Sequence, residues 1–168
     1  MQKAQYSVVF KEKIKKFNKK IKIPPCKSTS IRAFLIGSIS QGISEVKNIL
    51  ESNDVLQLID CLEKLEVVIK KIKPRHYKIY GKGLGSLYCK KDIILDAQNS
   101  GTALRLIASL IATTPNLQVK LKGDKSLNHR NMSELINLLN QFGASFYPKK
   151  KISSFNFGFV KHAYEYLL

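Results

Sequence analysis

One pattern of residues occurs twice along this chain, and a tandem repeat constrains the fold strongly because each copy buries a face that its neighbour must cover. The first copy spans residues 27–65 and the second residues 99–142. In the first, Ser28 and Ser30 precede Arg32 and the apolar run Ala33-Phe34-Leu35-Ile36; in the second, Ser100 and Thr102 precede Arg105 and Leu106-Ile107-Ala108. A strand candidate follows in each, residues 44–48 and 117–122, and then a polar turn, Glu51-Ser52-Asn53-Asp54 or Lys125-Ser126-Leu127-Asn128. Each turn leads into an amphipathic helix, 56–65 or 135–142. Leu58, Ile59, Leu62 and Leu65 in the first match Leu135, Ile136, Leu139 and Phe142 in the second, the i, i+1, i+4, i+7 face of a 3.6-residue period. A unit of roughly 75 residues therefore occurs twice. Strand character at 67–72 and 76–80, around the turn-forming Pro74, completes a β-α-β-α-β-β unit. The class is α/β, with helices packed under mixed sheets. Gly81-Lys82-Gly83-Leu84-Gly85 lacks dinucleotide-fingerprint spacing and reads as a plain loop.

With 168 residues, 44% of them hydrophobic, the chain can bury roughly 70% of its extended surface in one domain. Lys and Arg number 29 against 12 acidic residues, a net charge of +17, which invites a polyanion partner. The charge is dispersed, however, apart from a run of lysines between Lys11 and Lys22 and another at Lys149-Lys150-Lys151, and aromatics are not interleaved with these runs in the manner of a base-stacking platform. Lys reads as the default solvated residue, and nucleic acid is a disfavoured partner. Cys26, Cys61 and Cys89 are far apart and odd in number, which argues against a disulfide framework or a zinc site and for a reducing cytoplasm. Near the N-terminus Val8-Val9-Phe10 is too short for a signal-peptide core, and the most apolar helical run, 103–112, contains Arg105 and is too short to span a bilayer. A soluble cytoplasmic protein is expected.

Only four residues are arginine, and three of them close short motifs: Lys27-Ser28-Thr29-Ser30-Ile31-Arg32, Asn99-Ser100-Gly101-Thr102-Ala103-Leu104-Arg105 and Gly123-Asp124-Lys125-Ser126-Leu127-Asn128-His129-Arg130. Arg75 stands outside them. A chain that otherwise uses Lys has placed its planar, permanently charged forks where oxyanions would be gripped. Ser28 or Ser30 is suited to cap a helix beginning near Arg32, and Gly101-Thr102 to begin the helix carrying Arg105. Each helix start would offer free amide donors to an anion, and Gly101 would let a ligand approach the backbone. Ordinary capping is the competing reading for the serines. For Arg105 an internal salt bridge competes with ligand contact, while Arg130, in a polar turn, reads as the better ligand residue. Asp54 and Asp96 look isolated, His76 and His162 show no partner pattern, and His129 fits a solvated turn. No nucleophile-base arrangement or metal-ligand spacing emerges.

The order Lys27-Ser28-x-Ser30-x-Arg32-Ala33, then Leu95-Asp96 with Asn99-Ser100-Gly101-Thr102-Ala103-Leu104-Arg105, then Gly123-Asp124 with Ser126-Leu127-x-x-Arg130, resembles the N-terminal half of the EPSP synthases, within the enolpyruvyl transferases, over residues 21–147. The resemblance implies an inverse β/α prism of two similar domains, each of three β-α-β-α-β-β units, here incomplete. It implies transfer of the enolpyruvyl group from phosphoenolpyruvate to the 5-hydroxyl of shikimate 3-phosphate, through a tetrahedral intermediate and with release of phosphate, in the shikimate pathway to chorismate and the aromatic amino acids. It implies no metal and no organic cofactor. By motif position Lys27 touches both substrates, Ser28 and Arg32 bind shikimate 3-phosphate, and Asn99, Gly101 and Arg130 serve phosphoenolpyruvate. Thr102 and Arg105 are structural or electrostatic.

The chain departs from that pattern in several places. Pro25-Cys26 stands where the family has Gly and a small or acidic residue, Glu66 replaces the glycine before Val67, and Asn131 replaces the proline after Arg130. The expected organisation is a basic segment at 1–20, forming a strand or hinge toward the second domain, a partial domain at 21–148 and a divergent tail at 149–168. Residues of the second domain, including an aspartate proton acceptor, have no counterpart here, so catalytic groups are expected elsewhere. The fragment is expected to be inactive alone and to need a complementary C-terminal half. The alternative is a basic, non-catalytic module on the same scaffold that binds a polyanion or a partner chain.

Overall fold

Helix α1 (Lys27–Ile39) runs almost directly into strand β1 (Gln41–Lys47), followed by α2 (Asn53–Lys64) and the hairpin β2 (Val68–Lys73) and β3 (His76–Lys82). The second unit comprises β4 (Ile94–Asp96), α3 (Gly101–Ala112), β5 (Val119–Lys122), a 3-10 turn (Leu127–His129), α4 (Ser133–Gln141), β6 (Ser145–Tyr147) and β7 (Gly158–Lys161). This computed structural model describes residues 20–90 and 93–147, the backbone of 158–161, and isolated positions 7, 9, 11, 16 and 18. Most of the 1–20 segment, the Lys149-Lys150-Lys151 run and His162 lie outside the described residues.

The first sheet has the order β1-β3-β2 and the second β4-β5-β7-β6. All pairs are antiparallel except β4 with β5, which is parallel. The order β5-β7-β6 reproduces β1-β3-β2, so the repeat seen in the residues is also a repeat of topology. The second unit shows the β-α-β-α-β-β order in full. The first has it without a leading strand among the described residues.

Burial follows the predicted period in α2, where Val55, Leu58, Ile59 and Leu62 are buried on one stripe; in α4 Ile136 and Leu139 are buried, but Phe142, expected on the same face, lies past the helix end and is 63% exposed. In β3 the alternate residues Tyr77 and Ile79 face the core. Phe34 of α1 meets Tyr77 edge-on with ring centroids 5.2 Å apart, a geometry the ring quadrupoles favour. The core is continuous between units, with Ile31, Phe34, Leu58 and Ile79 joined to Leu95, Leu104, Ile107 and Leu121. Two helical copies thus close on each other.

The helix ends repeat too. After α2 the amide of Val67 donates to Leu62 O and that of Glu66 to Glu63 O; after α4 the amide of Ala144 donates to Leu139 O and that of Gly143 to Asn140 O. Both are Schellman caps, whose C′ residue must be left-handed. Gly143 has φ +86° there, while Glu66 has φ +62°, so Glu66 adopts the backbone conformation that glycine takes in the second copy.

Three expectations are corrected. Helix α1 starts at Lys27 with Cys26 at the N-cap position, so Ser28 and Ser30 lie inside the helix and cap nothing. Ser30 instead donates to Cys26 O and accepts from the Leu50 amide, which ties α1 to the segment before α2. The glycine-rich stretch is part strand: Gly81 and Lys82 end β3. A side chain at Gly81 would collide with the Ser40 and Gly37 carbonyls, so glycine here permits helix-to-strand contact. Finally, Asp54, Asp96 and His76 all have partners: Asp54 pairs with Lys27 at 2.7 Å, Asp96 accepts from the Gln98 amide at 2.8 Å, and His76 Nε2 meets Glu45 at 2.6 Å.

Candidate functional site

Four helices provide an internal control on electrostatics. The first turns of α2 and α4 carry Asp54 and Glu134, the usual complement to the positive end of a helix, whereas those of α1 and α3 carry no acid. These are the two helices that carry the anion motifs. At α1 the Ser30 amide reaches Cys26 O, which leaves the preceding amides as the helix's open donors. Lys27 is exposed, Ser28 is half-buried, and Arg32 is exposed one turn further on. The Lys27 ammonium is held by Asp54, across 27 residues of sequence, at the start of α2. Cys26 is exposed at this helix start. Its sulfur forms no capping bond, yet the amide and hydroxyl of Thr29, the amide of Ser28 and the charge of Arg32 hold the thiol below its ordinary pKa.

At α3 the Ser100 hydroxyl accepts the Ala103 amide at 3.3 Å as a true N-cap. Thr102 is exposed in the first turn. Arg105 forms no internal salt bridge among the described residues; its guanidinium donates to the carbonyls of Gly101 (3.4 Å) and Asn131 (3.2 Å). Arg130 comes from the far side, after the 3-10 turn, with Nη2 donating to Asn99 Oδ1 at 3.2 Å. Asn99 Nδ2 donates in turn to Asp124 at 2.7 Å, and Asp124 also accepts the Leu127 amide at 2.7 Å. The Asn99 amide, the Leu127 and Ser126 amides and the charge of Arg130 hold the Asp124 carboxyl below the usual carboxylate range.

Two guanidinium groups converge on Gly101. A Cβ built there would lie 2.8 Å from Arg130 Nη1 and 3.0 Å from Arg105 Nη1. The two nitrogens therefore lie within roughly 6 Å, where like charges repel by about 3 kcal/mol at the effective dielectric of a protein surface. An anion seated between them would turn that repulsion into attraction.

A sequence model of the family described as EPSP synthase (3-phosphoshikimate 1-carboxyvinyltransferase) matches residues 11–157. The chain belongs to the EPSP synthase family. It is 39% identical over 132 residues to the 3-phosphoshikimate 1-carboxyvinyltransferase of Caldicellulosiruptor bescii, covering 79% of this chain and 30% of that protein. A second relative with the same name, from Thermoanaerobacter sp., is 40% identical over 124 residues, 74% of this chain and 28% of its own length. The solved EPSP synthase of Acinetobacter baumannii superposes with a TM-score of 0.76 at 25% identity, covering 84% of this chain and 31% of that one. The chain spans about 30% of the length of the curated relatives it matches.

The EPSP synthase fold thus brings Asn99, Gly101, Arg105 and Arg130 into one cluster around the start of α3. Lys27, Ser28 and Arg32 form a second group at the start of α1. Helices α1 and α3 pack on each other, although no hydrogen bond among the described residues links the two groups. Two acids escaped the sequence reading as site residues. Asp124 lies within a quoted motif, but its role depends on Asn99 reaching it. Asp54 had no signal, because its tie to Lys27 exists only once α2 packs beside α1. Among the described residues no group of His, Cys, Asp and Glu could hold a metal ion, and no helix is long and apolar enough to cross a membrane.

Proposed function

We propose that this chain provides the anion-holding part of an enzyme that transfers the enolpyruvyl group from phosphoenolpyruvate to shikimate 3-phosphate in a reducing cytoplasm. The convergence of the Arg105 and Arg130 guanidinium groups on the bare backbone of Gly101 carries this reading. It describes a seat for a small, strongly anionic ligand, as phosphoenolpyruvate is. Asn99 orients Arg130 toward it. Lys27, positioned by Asp54, contacts both substrates, while Ser28 and Arg32 take shikimate 3-phosphate at the start of α1. Both substrates are anions, and fixed cations offset their repulsion as they are brought together. The proton-transfer groups are supplied by residues outside this chain's site, in a complementary C-terminal half.

Calorimetric titration tests the assignment. The chain binds phosphoenolpyruvate, and Arg130→Ala or Gly101→Ala weakens that binding by about tenfold or more, the scale of one charge-assisted hydrogen bond. Arg32→Ala weakens shikimate 3-phosphate instead. Equal affinities in wild type and Arg130→Ala would overturn the phosphoenolpyruvate seat. Turnover by the purified chain alone would overturn the need for a second half.

A further inference from the structure

Arg75 is the one arginine that the anion motifs leave unexplained. It sits in the turn between β2 and β3 with φ +61°, a left-handed conformation that turns usually give to Gly or Asn. Its guanidinium is fixed in place: Nε donates to Ile49 O at 3.2 Å and Nη2 to Asn48 Oδ1 at 2.5 Å. The remaining nitrogen, Nη1, has no partner among the described residues. Beside it opens a cavity of about 480 Å³ lined by Lys47, Asn48, Lys73, Pro74, Arg75 and His76, within the size range of small-molecule sites.

The sheet register concentrates charge here. His76 of β3 lies opposite Lys47 of β1 on one side and Lys73 of β2 on the other. Like charges placed side by side across strands are unfavourable. One carboxylate answers them: Glu45 pairs with Lys47 at 3.4 Å and with His76 Nε2 at 2.6 Å. The neighbouring acid, Glu51, is committed to Lys71, Tyr77 and the Arg75 amide. Lys47, Lys73 and Arg75 are three permanent cations against the single charge of Glu45, an excess that matches a dianion. His76, its Nε2 turned to Glu45, lines the same cavity between the two lysines.

We propose that the cavity between Lys47, Lys73, Arg75 and His76 is a binding site for a dianionic phosphate group. Arg75 presents a guanidinium already held in place through Nε and Nη2 with Nη1 left open, and the two lysines supply point charges. The site shares no residue with the Gly101 cluster and does not depend on the function proposed above.

Titration of the full chain with inorganic phosphate, followed by calorimetry and by the imidazole ¹⁵N resonances of His76, tests this. Phosphate is expected to shift the imidazole resonances of His76, which lines the cavity, in wild type and in Arg130→Ala alike. The double variant Lys47→Gln, Lys73→Gln, which changes only exposed side chains, is expected to weaken the His76-reporting event at least tenfold. A parallel titration with glycerol phosphate separates the sources: tighter binding than inorganic phosphate marks a phosphate ester as the ligand, weaker binding the free ion. A silent His76 resonance, an unchanged affinity in the double variant, or loss of the His76 response in Arg130→Ala would each overturn the site.

Discussion

Asp124 governs Arg130 without touching it among the described contacts, because Asn99 stands between them, its amide nitrogen 2.7 Å from the carboxylate and its oxygen 3.2 Å from Arg130 Nη2. A carboxylate only accepts and a guanidinium only donates, so this amide has one workable orientation. Arg130 is thereby aimed at Gly101 by a side chain from a different loop.

Replacing Asp124 by Asn removes the ionised acceptor and lets the Asn99 amide flip. Affinity for phosphoenolpyruvate is expected to fall on the order of tenfold, the lower end for a charged hydrogen bond, with the folded spectrum unchanged. Calorimetry with Asp124→Asn checks this. Wild-type affinity would show that Asn99 needs no anchor.

Glu66 and Gly143 occupy the same position in the two Schellman caps, and only the glycine is free of Cβ strain at positive φ. Glu66→Gly is expected to stabilise the fold by about 1 kcal/mol, the cost of a left-handed non-glycine residue. Gly143→Ala is expected to destabilise it by about the same amount. Urea midpoints at constant m-value measure both. A lower midpoint for Glu66→Gly would show that its side chain contributes more than its backbone costs.

Glu51 joins the Lys71 ammonium, the Tyr77 hydroxyl and the Arg75 amide, in that order of influence, and these hold its carboxyl down at about 2 from an ordinary 4.5. A depressed pKa means that the folded state favours the charged form. The resulting stability is complete above pH 4.5 and lost as the pH falls toward 2. Glu51→Gln should therefore flatten that limb of the stability curve, as followed by thermal unfolding between pH 7 and pH 2.5. Parallel acid limbs in wild type and variant would remove Glu51 from the network.

The three thiols should alkylate in the order of their surroundings. Cys26 is exposed with its pKa lowered, Cys89 is half-buried with its pKa raised, and Cys61 is buried with its pKa pushed up to about 12. Iodoacetamide at neutral pH is expected to label Cys26 first and Cys61 last, and mass spectrometry reads the order. Shikimate 3-phosphate should slow labelling of Cys26, which adjoins Lys27 and Ser28. Early labelling of Cys61 would reveal opening of the core around α2.

Much of the fold was legible because periodicity is a local property. Leu58, Ile59 and Leu62 declare the buried stripe of α2 by spacing alone, and residues 76–80 declare a strand, though not which of its faces is buried. Even the strained cap could be read, since Glu66 stands where the motif has glycine. The start of α1 could not, because serine both caps helices and bonds back within them. Only the packing against Leu50 shows which Ser30 does.

The residue order by itself determined the repeated unit, the helices and strands and the family, because each rests on neighbours a few positions apart. The tertiary structure decided who meets whom: Lys27 with Asp54, Asn99 with Asp124, and Arg105 with Arg130 over Gly101. Those partners lie 25 to 27 residues apart. Bringing such side chains to hydrogen-bond distance depends on how α1, α3 and the turn after β5 pack on the shared core, where a displacement of an ångström makes or breaks the contact and leaves the hydrophobic pattern unchanged.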